Sequence, residues 1–139
     1  MFNPNVTIDI LNEKFNINMT QFLDIEYTEL GDNYLCGQMP VTSKVQQPFG
    51  ILHGGASVVF AESLGSLASN LIVDQEHQYC VGLDINANHV KGVKKGVIFG
   101  KAEAVHIGKR THVWQINITN ENKELVCTSR LTIAVIDKK

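Results

Sequence analysis

One acidic residue, Glu62, stands inside residues 54–73, a run that otherwise carries no charge. A carboxylate in a mostly apolar helix is costly unless it is paired, exposed or at work. The same run opens on His53-Gly54-Gly55, and Gln47-Pro48-Phe49-Gly50 makes a Pro/Gly turn just before it. A helix start leaves its first N–H groups unpaired and carries about half a positive charge. Glycine at 54 and 55 lets a carbonyl reach those groups with no Cβ in the way. Glu62 could then act as a base for water or as a nucleophile at that carbonyl, and both routes stay open. Ser66, four residues on, shares its helical face and could hold the water. Plainer roles stand beside these: Glu62 tied to a lysine or the backbone, His53 as a cap, Ser66 as packing, Gln47 as part of the turn.

The elements that would position these residues follow from periodicity. Residues 7–23 carry weak helical spacing and read as one or two short helices. Residues 25–30 and 34–41 are β-prone around Gly31-Asp32-Asn33, a hairpin signal. A loop over 42–52 leads to a helix over about 54–73. Projected at 100° per residue, Val58, Ala61, Leu64, Leu67, Ala68, Leu71 and Ile72 fill one arc. Gly55, Val59, Glu62, Ser66, Ser69 and Asn70 fall opposite, a face without the Lys/Glu dressing of a solvent surface. Strands are expected over 79–90, 97–107, 112–119 and 124–136, separated by turn-like segments. Two strands, one long helix and four strands make an α+β architecture, an antiparallel sheet wrapped around one central helix.

Composition narrows the class. The 139 residues suit one domain, 1–139, with 44% hydrophobic and 19% charged residues and a net charge of −2. No basic stripe suggests nucleic acid. The apolar stretch 56–73 holds Glu62, serines and Asn70, a poor membrane span. No basic segment followed by an apolar one opens the chain, and Cys36, Cys80 and Cys127 form no C-x-x-C pair. Buried free thiols in a cytoplasmic protein are the expectation. No metal-ligand spacing, nucleophile elbow or phosphate loop is present, so no metal and no cofactor are expected. His77 and His112 carry no chemical expectation.

The order of elements, with Gln47-Pro-Phe-Gly, His53-Gly54-Gly55-Ala56, Ala61-Glu62 and Gly65-Ser66, resembles the hotdog-fold acyl-CoA thioesterases over about residues 18–136. The nearest branch is that of aryl-CoA thioesterases with a helix-borne glutamate: 4-hydroxybenzoyl-CoA, phenylacetate-pathway and 1,4-dihydroxy-2-naphthoyl-CoA enzymes. The resemblance implies that Glu62 is the catalytic carboxylate and that the Gly54 N–H polarises the thioester carbonyl. Gln47 and His53 would line that pocket, and Ser66 would hold the water. It further implies acyl or CoA contacts at Val81, Gly82, Asn88, His89, His106, Gly108, Lys109 and Arg110, with Lys91 toward phosphates. Phe60, Val59, Val81 and Phe49 would line the acyl pocket. CoA enters as part of the substrate.

Distance adds a statement about assembly. Eight residues separate Gly54 from Glu62 by about 12 Å of helix axis and about 80° of rotation. One carbonyl at the Gly54 amide is therefore hard to reach from Glu62 of the same chain, and a two-fold mate would supply its own. A homodimer with shared active sites is expected, and the resemblance adds a tetramer of two such dimers. Two rivals remain. Asp84 and His89 have the spacing of a hotdog enoyl-CoA hydratase motif, although that motif lies before the central helix in such enzymes. A non-catalytic acyl-CoA-binding protein is the other.

Overall fold

The computed structural model describes residues 1–139. Helices α1 (Ile8–Lys14) and α2 (Asn18–Phe22) precede strands β1 (Glu26–Leu30) and β2 (Tyr34–Pro40). A 3₁₀ turn, Ser43–Val45, leads to the long helix α3 (Gly54–Asn70). Strands β3 (Gln78–His89), β4 (Val97–Ile107), β5 (Thr111–Thr119) and β6 (Leu125–Asp137) complete the chain. All six strands join one antiparallel sheet in the order β1-β2-β4-β5-β6-β3. This is the expected α+β arrangement.

Period-two alternation drives the sheet onto the helix. On β5, His112, Trp114, Ile116 and Ile118 point inward and are buried. They meet Leu35, Met39, Ile98, Ala102, Leu131 and Ile133 in one core with Phe60, Ala61, Leu64, Leu67 and Ala68 of α3. The expected arc of the helix holds in its middle and fails at Val58, Phe60 and Ser69. Val58 is only half-buried, whereas Phe60 is fully buried and its ring fills the space beside Gly100, where a Cβ would lie 2.9 Å away. Phe60 is thus a core residue and lines no acyl pocket.

Ser69, projected onto the polar face, is fully buried. Its Oγ accepts from Trp114 Nε1 at 2.7 Å and lies 2.9 Å from His112 Nδ1. His112, which carried no expectation, thereby fastens the end of α3 to β5. The helix also stops at Asn70 although apolar residues continue the pattern to Val73. Asn70 uses its side chain as a strand would: Oδ1 accepts from Cys80 N–H at 2.8 Å, and Nδ2 donates to Cys80 O at 3.0 Å. That two-point bond sets where β3 begins relative to α3. The three cysteines are free, Cys80 and Cys127 buried and Cys36 half-buried; burial pushes the Cys80 thiol up to about 11.

Candidate active site

The helix start is built by a loop held at both ends. Gln47 N–H donates to Ile51 O and Gly50 N–H to Gln47 O, each at 2.9 Å, with Gly50 at a φ of 80° that closes the turn. Leu52 N–H donates to Val93 O at 2.7 Å and His53 N–H to Val45 O at 2.8 Å, which delivers His53 as the N-cap. His53 Nδ1 accepts from Gly55 N–H at 2.8 Å. His53 O accepts from Ala56 N–H at 3.0 Å and Ser57 N–H at 3.3 Å. Three of the first four helical N–H groups are therefore satisfied, and the Gly54 N–H is the one left over. It opens on a hollow of about 370 Å³ lined by Gln47, Gly54, Ser57, His89 and Lys91 among others. A Cβ on residue 54 would lie 2.9 Å from His89 Nε2, so only glycine leaves the imidazole where it is. The Gln47 amide oxygen accepts from Phe49 N–H, which leaves its NH₂ end free. His53 is exposed and is not among the residues that line this hollow in the single chain; its ring caps the helix.

Glu62 lies in a separate hollow of about 340 Å³, lined by Met19, Val58, Val59, Glu62, Ser63 and Ser66. Its carboxylate takes part in none of the ion pairs and accepts no hydrogen bond, which removes the reading of a structurally tied residue. Ser63 Oγ donates to Val59 O at 2.7 Å, whereas the Ser66 hydroxyl has no partner. Gly82 makes room for Glu62: a Cβ there would fall 2.7 Å from Oε2. The glycine attributed to substrate contact therefore also seats the carboxylate.

Sheet register sets the two hollows apart along β3, one beside Gly82 and the other beside His89 at the strand's end. Gly82, Ile133, His112 and Ile107 share one row, while His89, Cys127, Ile118 and Gly100 share another. About six strand steps separate the rows, roughly 20 Å. The other residues attributed to substrate contact divide accordingly. On β3, Ile85 and Ala87 pack on the core and His89 reaches Gly54. Alternation then turns Asp84 and Asn88 to the other face, as it turns Val81 away from Cys80 and Gly82. Asn88 and Val81 are exposed there, outside both hollows. His106, Gly108, Lys109 and Arg110 sit at the β4–β5 turn, level with the Glu62 end and three strands from β3. Lys91 Nζ pairs with Glu124 at 2.9 Å, which holds the Glu124 carboxyl below its usual range; the pair is half exposed and adds little stability. Phe49 is 91% exposed at the tip of its turn.

Residues 49–127 match the thioesterase superfamily. The chain belongs to that family. The thioesterase is 49% identical over 131 residues to the 1,4-dihydroxy-2-naphthoyl-CoA hydrolase of Escherichia coli K12, covering 94% of this chain and 96% of the relative. It is 41% identical to the proofreading thioesterase EntH of Cronobacter turicensis, over 94% of this chain and 95% of that one. Among solved structures, a mutant thioesterase from Pseudomonas aeruginosa superposes with a TM-score of 0.95 at 42% identity, covering 99% of both chains. The sheet and central helix are those of the hotdog fold, and the protein is a thioester hydrolase. No helix is long and apolar enough to cross a membrane.

Two features of the thioesterase escaped its sequence. Met19 joins the Glu62 hollow from α2, and only the proximity of distant segments reveals it. Asp74, Glu76 and His77 bring potential metal-ligating atoms within 4.8 Å of one another. That trio is exposed, and Asp74 Oδ2 and His77 Nδ1 already pair at 2.7 Å.

Proposed function

We propose that this thioesterase hydrolyses the thioester of an aromatic or medium-sized acyl-CoA to the free acid and CoA, in the cytoplasm. The observation that carries the reading is the single unpaired N–H at the start of α3, on Gly54, beside a free Gln47 amide. A thioester carbonyl seated there accepts from the Gly54 N–H, and as water adds, the tetrahedral oxyanion strengthens that bond by about 3 kcal/mol. Glu62 either takes the proton of the attacking water, which Ser66 Oγ helps hold, or attacks the carbonyl itself to give a mixed anhydride that water then opens. In both routes the C–S bond breaks. In the first, Glu62 returns the proton it took to the departing sulfur; in the second, CoA leaves as the thiolate and takes up the proton released when water opens the anhydride. The E. coli relative, named for hydrolysis of an aryl-CoA ester, supports the acyl class.

Each site is completed by a second copy of the chain. Strand β3 closes the sheet order with one side unpaired, is twelve residues long, and exposes Tyr79, Val81 and Leu83 without lysine or proline to guard the edge. A two-fold midway between Gly82 and His89 pairs β3 with its copy and exchanges the two rows. Glu62 of each chain then faces the Gly54 hollow of the other. Two such dimers would make the tetramer that the resemblance implies.

The hydratase reading loses its pair, since Asp84 and His89 point to opposite faces of β3. A mere binder has no use for an unpartnered carboxylate beside a free hydroxyl. Free-CoA release from a panel of aryl- and alkyl-CoA esters tests the assignment. Glu62→Ala should lower kcat by about 10²–10⁴-fold with folding intact. Undiminished turnover in that variant, or hydration of an enoyl-CoA lost on His89→Ala, would overturn it.

A further inference from the structure

The hollow beside Glu62 has one wall that the long helix does not supply. Val58, Val59, Glu62, Ser63 and Ser66 all lie on a single face of α3 and form its floor. Met19 alone comes from elsewhere, from α2, and closes the hollow opposite the face of the helix that carries Glu62. The floor is graded: the carboxylate and the Ser66 hydroxyl lie toward one end, and the two valines add an apolar surface toward the N-terminal side of the helix.

The backbone that carries Met19 is anchored, whereas its side chain is not. The chain enters α2 at Asn18 with a φ of 55° and leaves at Asp24 with a φ of 59°. Asn and Asp are among the few residues that adopt this left-handed region without large cost. Thr20 Oγ1 donates to Ile17 O at 2.7 Å, closing the first turn. Lys44 Nζ donates to Phe22 O at 2.7 Å and pairs with Asp24 at 3.1 Å, closing the last. Between these anchors Met19 is 60% exposed, flanked by the exposed side chains of Ile17 and Phe22. An unbranched thioether with three rotatable bonds at such a place adapts its shape to whatever packs against it.

We infer that Met19 is a specificity-determining residue, the adjustable wall of the acyl subsite, and that the side chain at this position sets the largest acyl group accepted. The inference rests on the thioesterase reading of the Glu62 hollow. An anchored backbone and an exposed side chain mean that a change of volume at residue 19 is read directly as a change in the space left for the acyl group. Met19 takes no part in bond making, so small substrates are indifferent to it.

The test uses the full chain with acetyl-, benzoyl- and 2-naphthoyl-CoA, comparing kcat/KM of wild type, Met19→Trp and Met19→Ala. Met19→Trp should lower kcat/KM about tenfold or more for the naphthoyl ester and less for the benzoyl ester, leaving the acetyl ester within about twofold. Met19→Ala should shift the ratio of naphthoyl to benzoyl turnover in the opposite direction. Thermal melting of both variants should stay near that of wild type, because the side chain is exposed. Equal changes for all three esters, or none, overturn the role of Met19 while leaving the thioesterase reading intact. No turnover of any ester by the wild-type chain overturns both.

Discussion

Gly54 and Gly82 each leave space for one side chain, and that space is what the site needs from them. At Gly82 a methyl group would press on Glu62 Oε2 from 2.7 Å, so Gly82→Ala must displace the carboxylate by several tenths of an ångström. Displacements on that scale cost about 10–100-fold in rate when a reacting group is misplaced. Steady-state kinetics should show kcat of Gly82→Ala lowered by that order with its circular dichroism unchanged. At Gly54 the obstacle is the His89 imidazole, 2.9 Å from a new Cβ. Gly54→Ala keeps the N–H and should lose kcat/KM through this collision. Adding His89→Ala should recover part of the loss, and a strictly additive double mutant would show that the collision is not the cause.

Among the elements, α3 depends on a buried polar junction at its end as much as on its apolar face. Ser69→Ala leaves Trp114 Nε1 and His112 Nδ1 without their partner, at a cost of about 1–3 kcal/mol in urea unfolding. Burial lowers the His112 pKa below its ordinary 6.5, against the opposing pull of the Gly108 carbonyl bond, and nearby His106 lowers it further. The unfolded chain therefore binds a proton at higher pH than the folded one. This contribution to stability is fully present above about pH 6.5 and is lost as pH falls through the folded value. Unfolding free energy measured between pH 7.5 and 5.5 should decline in wild type, and His112→Gln, although less stable, should lack that part of the slope. Asn70 plays the companion role for β3, since its paired bonds to Cys80 fix the strand whose Gly82 seats the carboxylate.

At the scale of the whole molecule, β3 sets the distance between the Glu62 and Gly54 hollows, the two half-sites of the proposed function. Glu62 and Gly54 are separated by about 12 Å of helix and roughly 20 Å of strand, too far for one substrate carbonyl to meet both. Subunit mixing tests the shared site. Glu62→Ala and Gln47→Ala each damage one half, and together in one dimer they leave one of two sites intact. An equal mixture, dissociated and reassembled, should recover about a quarter of wild-type activity, since half the dimers are mixed. No recovery from a mixture shown to contain mixed dimers would place both halves of the site in one chain.

Local chemistry was legible in the sequence because it is set by neighbours along the chain. The lone Glu62 in an uncharged helix, Gly54 at its start and Ser66 one turn on all keep their expected places. The strands fall within a residue or two of their expected bounds, since side-chain alternation is fixed by the backbone. What the chain reaches across space was hidden. Ser69 falls on the small, polar face of the helix until Trp114 and His112 fold over it, and Phe60 looks like a pocket residue until the sheet closes on it. A bulge between Gly82 and Asp84 resets which β3 side chains face the helix, so Asn88 and Asp84 turn away while His89 turns in. Periodicity records how a side chain leaves its own element, whereas only packing decides what it meets.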